Sequence, residues 1–295
     1  MVWHLPDLHI PQRMFEMNYN SGSIVYPQDL ADNPTVLYVG AGGGLELLQF
    51  AYFSRKPSGV IGVDVVEDMI RECKINLIEA EKKNEWFQSN FVDLRKGDAL
   101  YLPLEDNTVD VAAQNCLFNI FKMEDLRKAL CEMYRVLKPG GRLVLSDPIC
   151  EKPLPPNLRE DEMLRARCVS GAIALEDYLQ LIEETGFGTI EIRGRWPYYV
   201  VDTNRHNVDE HIYIESIEIC AKKEISNCDI AQVYTGRRAL YYGTKDCYKA
   251  DCGVVLPYNQ SVAVSDQVAE KLESLNRDDI YISPSTYFFN GDLCC

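Results

Sequence analysis

Short apolar runs alternate with longer amphipathic stretches through the first two thirds of the chain. Thr35–Gly40 (TVLYVG) reads as a buried strand, followed by glycines and a helix from about Leu45 to Phe53. Gly59–Asp64 (GVIGVD) is a second strand, and EDMIRECKINLIEAEKK, from Glu67, places apolar residues at helical spacing. FVDLRKGDA gives a third strand ending near Asp98, and Val109–Asn115 (VDVAAQN) a fourth. The helix MEDLRKALCEMYRVL should stop at Pro139-Gly140-Gly141, before a fifth strand at Arg142–Asp147. Strands separated by helical stretches of this length predict a parallel, doubly wound α/β sheet. Leu175–Trp196 adds one more helix, turn and strand. Beyond Trp196 tyrosines become frequent and the alternation stops. That places a domain boundary there: residues 1–195 as the α/β domain and 196–295 as a smaller α+β domain.

The order of glycines and acids narrows the ligand. Gly40, Gly42 and Gly44 lie between the first strand and the first helix, where the backbone can approach a ligand and the helix offers free N–H groups. The sixth position of a dinucleotide fingerprint would be glycine, but here it is Leu45. Asp64 follows twenty residues after Gly44 at the tip of the second strand, where a carboxylate can bind both ribose hydroxyls. Asp98 and Asn115 sit at the ends of the third and fourth strands, on the same crevice.

Charge and composition then exclude several classes. Of 295 residues, 45 are acidic and 30 basic, for a net charge of -15. A phosphate backbone or anionic membrane is repelled on average, and no basic cluster exceeds a pair such as Lys82-Lys83 or Arg237-Arg238. Neither nucleic acid nor membrane is expected as a partner. MVWHLPDLHIPQRMF has no apolar signal core, and no window approaches the ~18 apolar residues of a bilayer span, so a cytoplasmic location is expected. In a reducing compartment the 11 cysteines should not form a disulfide framework. They show neither Cys-x-x-Cys pairs nor Cys/His clusters of zinc-site spacing. Cys73, Cys116 and Cys131 sit in apolar or periodic runs and read as small buried hydrophobes. Cys168, in RARCVSG, is different: Arg165 lies three residues before it, on the same face of a helix, and could favour a thiolate.

The glycine loop, Asp64, Asp98-Ala99 and YRVLKPGGRLVLSD together resemble the class I S-adenosylmethionine-dependent methyltransferases over residues 35–150. The resemblance implies a Rossmann-like, mostly parallel sheet with helices on both faces. It also implies that Gly40, Gly42 and Gly44 approach the methionine moiety, Asp64 the ribose and Asp98-Ala99 the adenine, with Asn115 facing the methyl group. RARCVSGA, NCDIAQVYTGRRALYYG, DCGVVLPYNQSVAVSDQVAEKL and the terminal GDLCC resemble the arsenite methyltransferases, closest to the microbial branch of arsenosugar biosynthesis. This second resemblance covers essentially the whole chain. It implies that Cys168 and Cys228 hold trivalent arsenic, whose lone pair attacks the methyl of S-adenosylmethionine and leaves S-adenosylhomocysteine, for arsenic detoxification or arsenosugar precursor formation. A thiol reductant such as glutathione is implied as a further partner.

Two departures from that family stand out. No thiol occupies the position near Leu47, and MVWHLPDL carries no cysteine pair, which points to a truncated chain or a site with fewer protein thiols. A third sulfur could come from glutathione, Cys150 or the Cys294-Cys295 tail. Two other readings of the residues stay open: a small organic amine or carbon acceptor, and a non-enzymatic arsenic-binding protein.

Overall fold

The computed structural model describes residues 5–18, 22–165, 167–224, 235–250 and 253–286. The chain divides into two compact units, Met1–Ile225 and Ser226–Cys295.

The first unit begins with a short helix, α1 (Gln12–Glu16), and alternates thereafter. Strand β1 is Val36–Val39, followed by α2 (Leu45–Ser54), β2 (Val60–Asp64), α3 (Glu67–Lys83), β3 (Val92–Lys96) and β4 (Val109–Asn115). Next come α4 (Met123–Val136), β5 (Leu137–Cys150), short helices α5 (Pro156–Arg159) and α6 (Glu162–Arg165), and β6 (Ile173–Ala174). Helix α7 (Leu175–Glu184), β7 (Ile190–Val201), α8 (Thr203–His206) and β8 (Ile212–Lys222) complete it. The sheet order is β3-β2-β1-β4-β5-β8-β7, with β6 also paired to β5. Pairing is parallel from β3 through β5, while β8 runs antiparallel to both β5 and β7.

The central strands are apolar on both sides because both faces are covered. Leu37 and Val39 of β1 join α4 and α7 in one core cluster. Val36 and Tyr38 point the other way, into a cluster with Leu47, Leu48 and Phe50 of α2 and Cys73 and Leu77 of α3. Helix α3 carries Glu67 and Asp68 in its first turn and Lys82 and Lys83 in its last, matching the helix dipole at both ends.

The boundary expected at residue 196 falls inside β7. Trp196 pairs with Ser216, so the stretch beyond it still belongs to the main sheet. Register shifts at Ile192/Gly194 and Pro197/Tyr199 break the two-residue alternation of β7, which hid its continuation past Trp196 and its pairing with β8. Likewise β5 starts at Leu137, with Pro139-Gly140-Gly141 inside it, and Gly140 takes a left-handed φ of 82°.

The second unit, taken by itself, is α+β. It contains β9 (Arg238–Tyr241), β10 (Cys247–Lys249), β11 (Val255–Pro257), β12 (Ser261–Ala263), α9 (Asp266–Ser274) and β13 (Ile280–Ile282). These strands form two small antiparallel sheets, β10-β11 and β12-β9-β13. Among the described residues no helix is long and apolar enough to cross a membrane.

Candidate active site

The carboxyl ends of β1, β2 and β4 open onto a cavity of about 260 Å³. Its wall includes Gly40, Gly42, Asp64 and Asn115, together with Tyr38, Glu46 and Cys116. A strand order that reverses direction at β1/β4 opens a crevice at this point in such sheets. Gly40 and Gly42 have φ of 85° and 52°, a conformation that favours glycine. A Cβ on Gly42 would meet only the Gly40 carbonyl, at 3.8 Å, so the missing side chain leaves open space for a ligand.

Gly44 stands outside the cavity wall and has another task. A Cβ there would lie 2.9 Å from the Cys73 Sγ, so this glycine lets α2 and α3 pack closely. Asp98 and Ala99 are also outside the wall. Asp98 is exposed, and its Oδ1 accepts from the Leu100 amide at 2.9 Å, closing its own turn.

Among the described residues, two carboxylates and no basic side chain line the cavity. Asp64 Oδ1 accepts from the Val66 amide at 2.9 Å, and Oδ2 receives only a long 3.4 Å contact from the Gly42 amide. That second oxygen retains capacity for hydroxyl donors. Glu46, in the first turn of α2, is buried. Its Oε1 accepts from Asn18 Nδ2 at 2.8 Å and Asn115 Nδ2 at 3.2 Å. Asn115 is held by a second bond, donated to the Gly22 carbonyl at 3.2 Å. Burial, then the Glu46 charge and hydrogen bond, hold the Tyr38 hydroxyl well above the ordinary tyrosine range, so it stays protonated. An acidic, glycine-floored pocket with a carboxylate at the tip of β2 fits S-adenosylmethionine, whose sulfonium and ammonium outweigh its one carboxylate.

Cys116 follows β4 directly and has a left-handed φ of 58°; Cys168 has a φ of 57°. Such angles are uncommon for residues other than glycine and cluster at functional sites. The Cys168 Sγ donates to the Cys116 carbonyl at 3.5 Å. A hydrogen bond with the Cys116 side chain draws the Cys168 thiol below its ordinary value of 9.0, against the opposing effects of burial and the Asp147 charge. Arg165 plays no part in this. Helix α6 ends at Arg165, and its guanidinium turns to the Arg159 carbonyl and to Glu162, 3.8 Å away. The helical-face reading fails because Cys168 lies in the turn after the helix.

The remaining thiols behave differently. Burial pushes Cys73 up to about 12 and Cys150 and Cys220 up to about 11, as expected of packing residues. Cys131, expected to be buried, is exposed on the outer face of α4. Cys228, Cys294 and Cys295 lie outside the described residues. Among the described residues no group of three or more His, Cys, Asp or Glu side chains could hold a metal ion.

Asp147, in the second half of β5, is 1% exposed. It accepts from the Tyr178 hydroxyl at 2.7 Å and from Gln114. Its Oδ1 has no hydrogen-bond partner among the described residues. Burial raises its carboxyl to about 7, with the hydrogen bonds from Tyr178 and Gln114 acting against the shift.

Sequence reasoning missed Glu46 and Cys116. An acid two residues past the last glycine was a usable signal for Glu46. Cys116 follows Asn115 directly, but its apolar neighbours concealed it.

Residues 30–186, more than half of the chain, match the model of a methyltransferase-domain family. The arsenite methyltransferase of Halobacterium salinarum is 31% identical over 163 residues, which is 55% of this chain and 39% of that protein. The arsenite methyltransferase of Aquipseudomonas alcaligenes is 29% identical over 206 residues, 68% of this chain and 58% of the relative. The chain thus spans well under two thirds of the length of either. The crystal structure of an arsenic(III) S-adenosylmethionine methyltransferase from Chlamydomonas reinhardtii superposes with a TM-score of 0.68 at 26% identity, covering 95% of this chain and 96% of that one.

Proposed function

The chain belongs to the methyltransferase-domain family, and from that premise we propose that it transfers methyl groups from S-adenosylmethionine to thiol-bound trivalent arsenic, giving methyl and dimethyl arsenicals. When bound, the donor supplies an electrophilic methyl on a positively charged sulfur. Asp64 holds the ribose hydroxyls, and the carboxylates of Asp64 and Glu46 favour the cation. Asn115, tied to Glu46 and to the Gly22 carbonyl, fixes the floor beneath the methyl.

The observation that carries the choice of acceptor is the Cys168 thiol. It is drawn below its ordinary value and sits in contact with Cys116 on the donor cavity wall. A thiolate selects soft centres. Among the described residues, the cavity wall carries no histidine or lysine to act as a general base, which suits an acceptor with its own lone pair. The arsenic lone pair becomes the As–C bond, and the C–S bonding pair leaves with the donor sulfur. Arsenic thereby loses two electrons formally, and a thiol reductant such as glutathione returns them as it forms a disulfide. A cytoplasmic location, where thiols stay reduced, goes with this reading. Cys228 is proposed as an arsenic-binding thiolate on the family resemblance alone.

Cys168→Ser tests the reading. Arsenite-dependent release of S-adenosylhomocysteine should fall at least a hundredfold while S-adenosylhomocysteine binding persists. Full turnover in the variant, or turnover of an amine or carbon acid that thiol blockers do not affect, would favour a different acceptor. Stoichiometric arsenite binding with no binding of S-adenosylmethionine would favour a binding protein without activity.

A further inference from the structure

We propose that Asn119 is a positioning residue for the acceptor: its side-chain amide hangs the turn that carries Cys168 on the loop that walls the donor cavity; this rests on the arsenite reading above.

The loop after β4 lines the donor cavity through Asn115, Cys116 and Leu117. It then makes one 3-10 turn, Phe118–Ile120, and Asn119 within it is 3% exposed. The Asn119 Nδ2 donates to the Pro148 carbonyl of β5 at 2.8 Å and to the Gly171 carbonyl at 3.3 Å. One proton anchors the side chain to the sheet, and the other reaches the turn after α6. Asn119 lies three residues after Cys116, and Gly171 three after Cys168. The clamp therefore sits one step beyond the point where the two loops touch.

Gly171 is shaped for this seat. A Cβ there would fall 1.6 Å from the Asn119 carbonyl oxygen and 2.5 Å from its carbon, so only glycine lets the two backbones approach this closely. The last residue of RARCVSG thereby acquires a task. The turn's own bonds run from the Val169 amide to the Leu164 carbonyl at 2.9 Å and from the Ala172 amide to the Val169 carbonyl at 3.0 Å. They set its shape but tie it only to itself.

Asparagine suits the position because both of its amide protons go to carbonyl oxygens. Aspartate would set an anion against them, and leucine would donate nothing. The arrangement carries a cost, since Asn119 Oδ1 is buried with no hydrogen-bond partner among the described residues. A buried acceptor left unpaired destabilises the fold. Two donated bonds that join the sheet, the cavity loop and the Cys168 turn account for keeping it there.

Asn119→Leu, close in size, and Asn119→Ser test this on the full, reduced chain. In each, kcat/KM for arsenite should fall at least tenfold while the KM for S-adenosylmethionine stays within twofold of wild type. Hydrogen exchange followed by mass spectrometry should show the peptide carrying Cys168 exchanging at least tenfold faster, with the β1 and β4 peptides unchanged. S-adenosylhomocysteine binding reports whether each variant is folded. Wild-type exchange in the Cys168 peptide, or wild-type kcat/KM for arsenite, in a folded variant overturns the proposal. Loss of S-adenosylhomocysteine binding in both variants would make Asn119 a determinant of the whole fold and overturns it as well. A wild type with no arsenite-dependent turnover would instead contradict the arsenite reading, and the exchange comparison still decides whether Asn119 holds the turn.

Discussion

The thiol of Cys168 donates to the carbonyl of Cys116, 3.5 Å away and 52 residues earlier in the chain. A hydrogen bond with the Cys116 side chain, rather than this carbonyl contact or a neighbouring arginine, draws the Cys168 thiol below its ordinary value of 9.0. The pH profile of its alkylation, followed by peptide mass spectrometry, should therefore have a midpoint below 9. In Cys116→Ala the midpoint should move up, because burial and the Asp147 charge then act unopposed. A midpoint unmoved by that substitution would remove Cys116 as the cause.

Asp64 carries the clearest expectation for the donor. Losing a charge-assisted hydrogen bond costs about 1.5–3 kcal/mol, so Asp64→Ala should weaken S-adenosylmethionine binding roughly tenfold to a hundredfold. Glu46→Gln keeps the shape but removes a charge, and should weaken the cationic donor more than an uncharged analogue. Calorimetry on both ligands measures the difference. Unchanged affinity in Asp64→Ala would place the ribose elsewhere.

Asp147 makes stability depend on pH. Its carboxyl is raised to about 7 in the folded protein, against 3.8 ordinarily. Between those values the native state keeps a proton that the unfolded chain has shed. Stability must therefore fall as pH rises through that window, by at most about 1.4 kcal/mol per unit. Asp147→Asn removes this term. Denaturant unfolding should show the variant gaining on wild type from pH 5 to pH 7, and a difference independent of pH would contradict the assignment.

The N-terminal segment is tied to the sheet by a buried ion pair. Asp29 is 7% exposed and accepts from Arg142 Nη1 at 2.6 Å and from Arg193. Removing one partner of such a pair leaves the other charge buried. Asp29→Ala should lower the unfolding free energy by about 3 kcal/mol, read from denaturant midpoints. A loss below about 1 kcal/mol would mean that solvent reaches Arg193 and that the pair behaves as a surface one.

Much of this architecture was legible in the residues. Val36–Val39 is an uninterrupted apolar run ending at Gly40, and Val60–Val63, after Gly59, is broken only by Gly62, the pattern of strands buried on both faces. Asp64 followed from its offset from the glycine loop. The second half of β7 and its pairing with β8 were not legible, since two register shifts scramble the alternation and the partner β5 lies far away in sequence. The contact between Cys116 and Cys168 was hidden for a related reason. It depends on two left-handed residues in separate loops, and no local pattern of side chains specifies either. Arg165 misled because the helix was read three residues too far.

The most direct measurement is mass spectrometry of the products formed from arsenite, a thiol and S-adenosylmethionine labelled in its methyl group. The account predicts labelled methylated and dimethylated arsenic from the wild type, and neither from Cys168→Ser. A labelled product containing no arsenic, or methylated arsenic from Cys168→Ser at the wild-type rate, would contradict it.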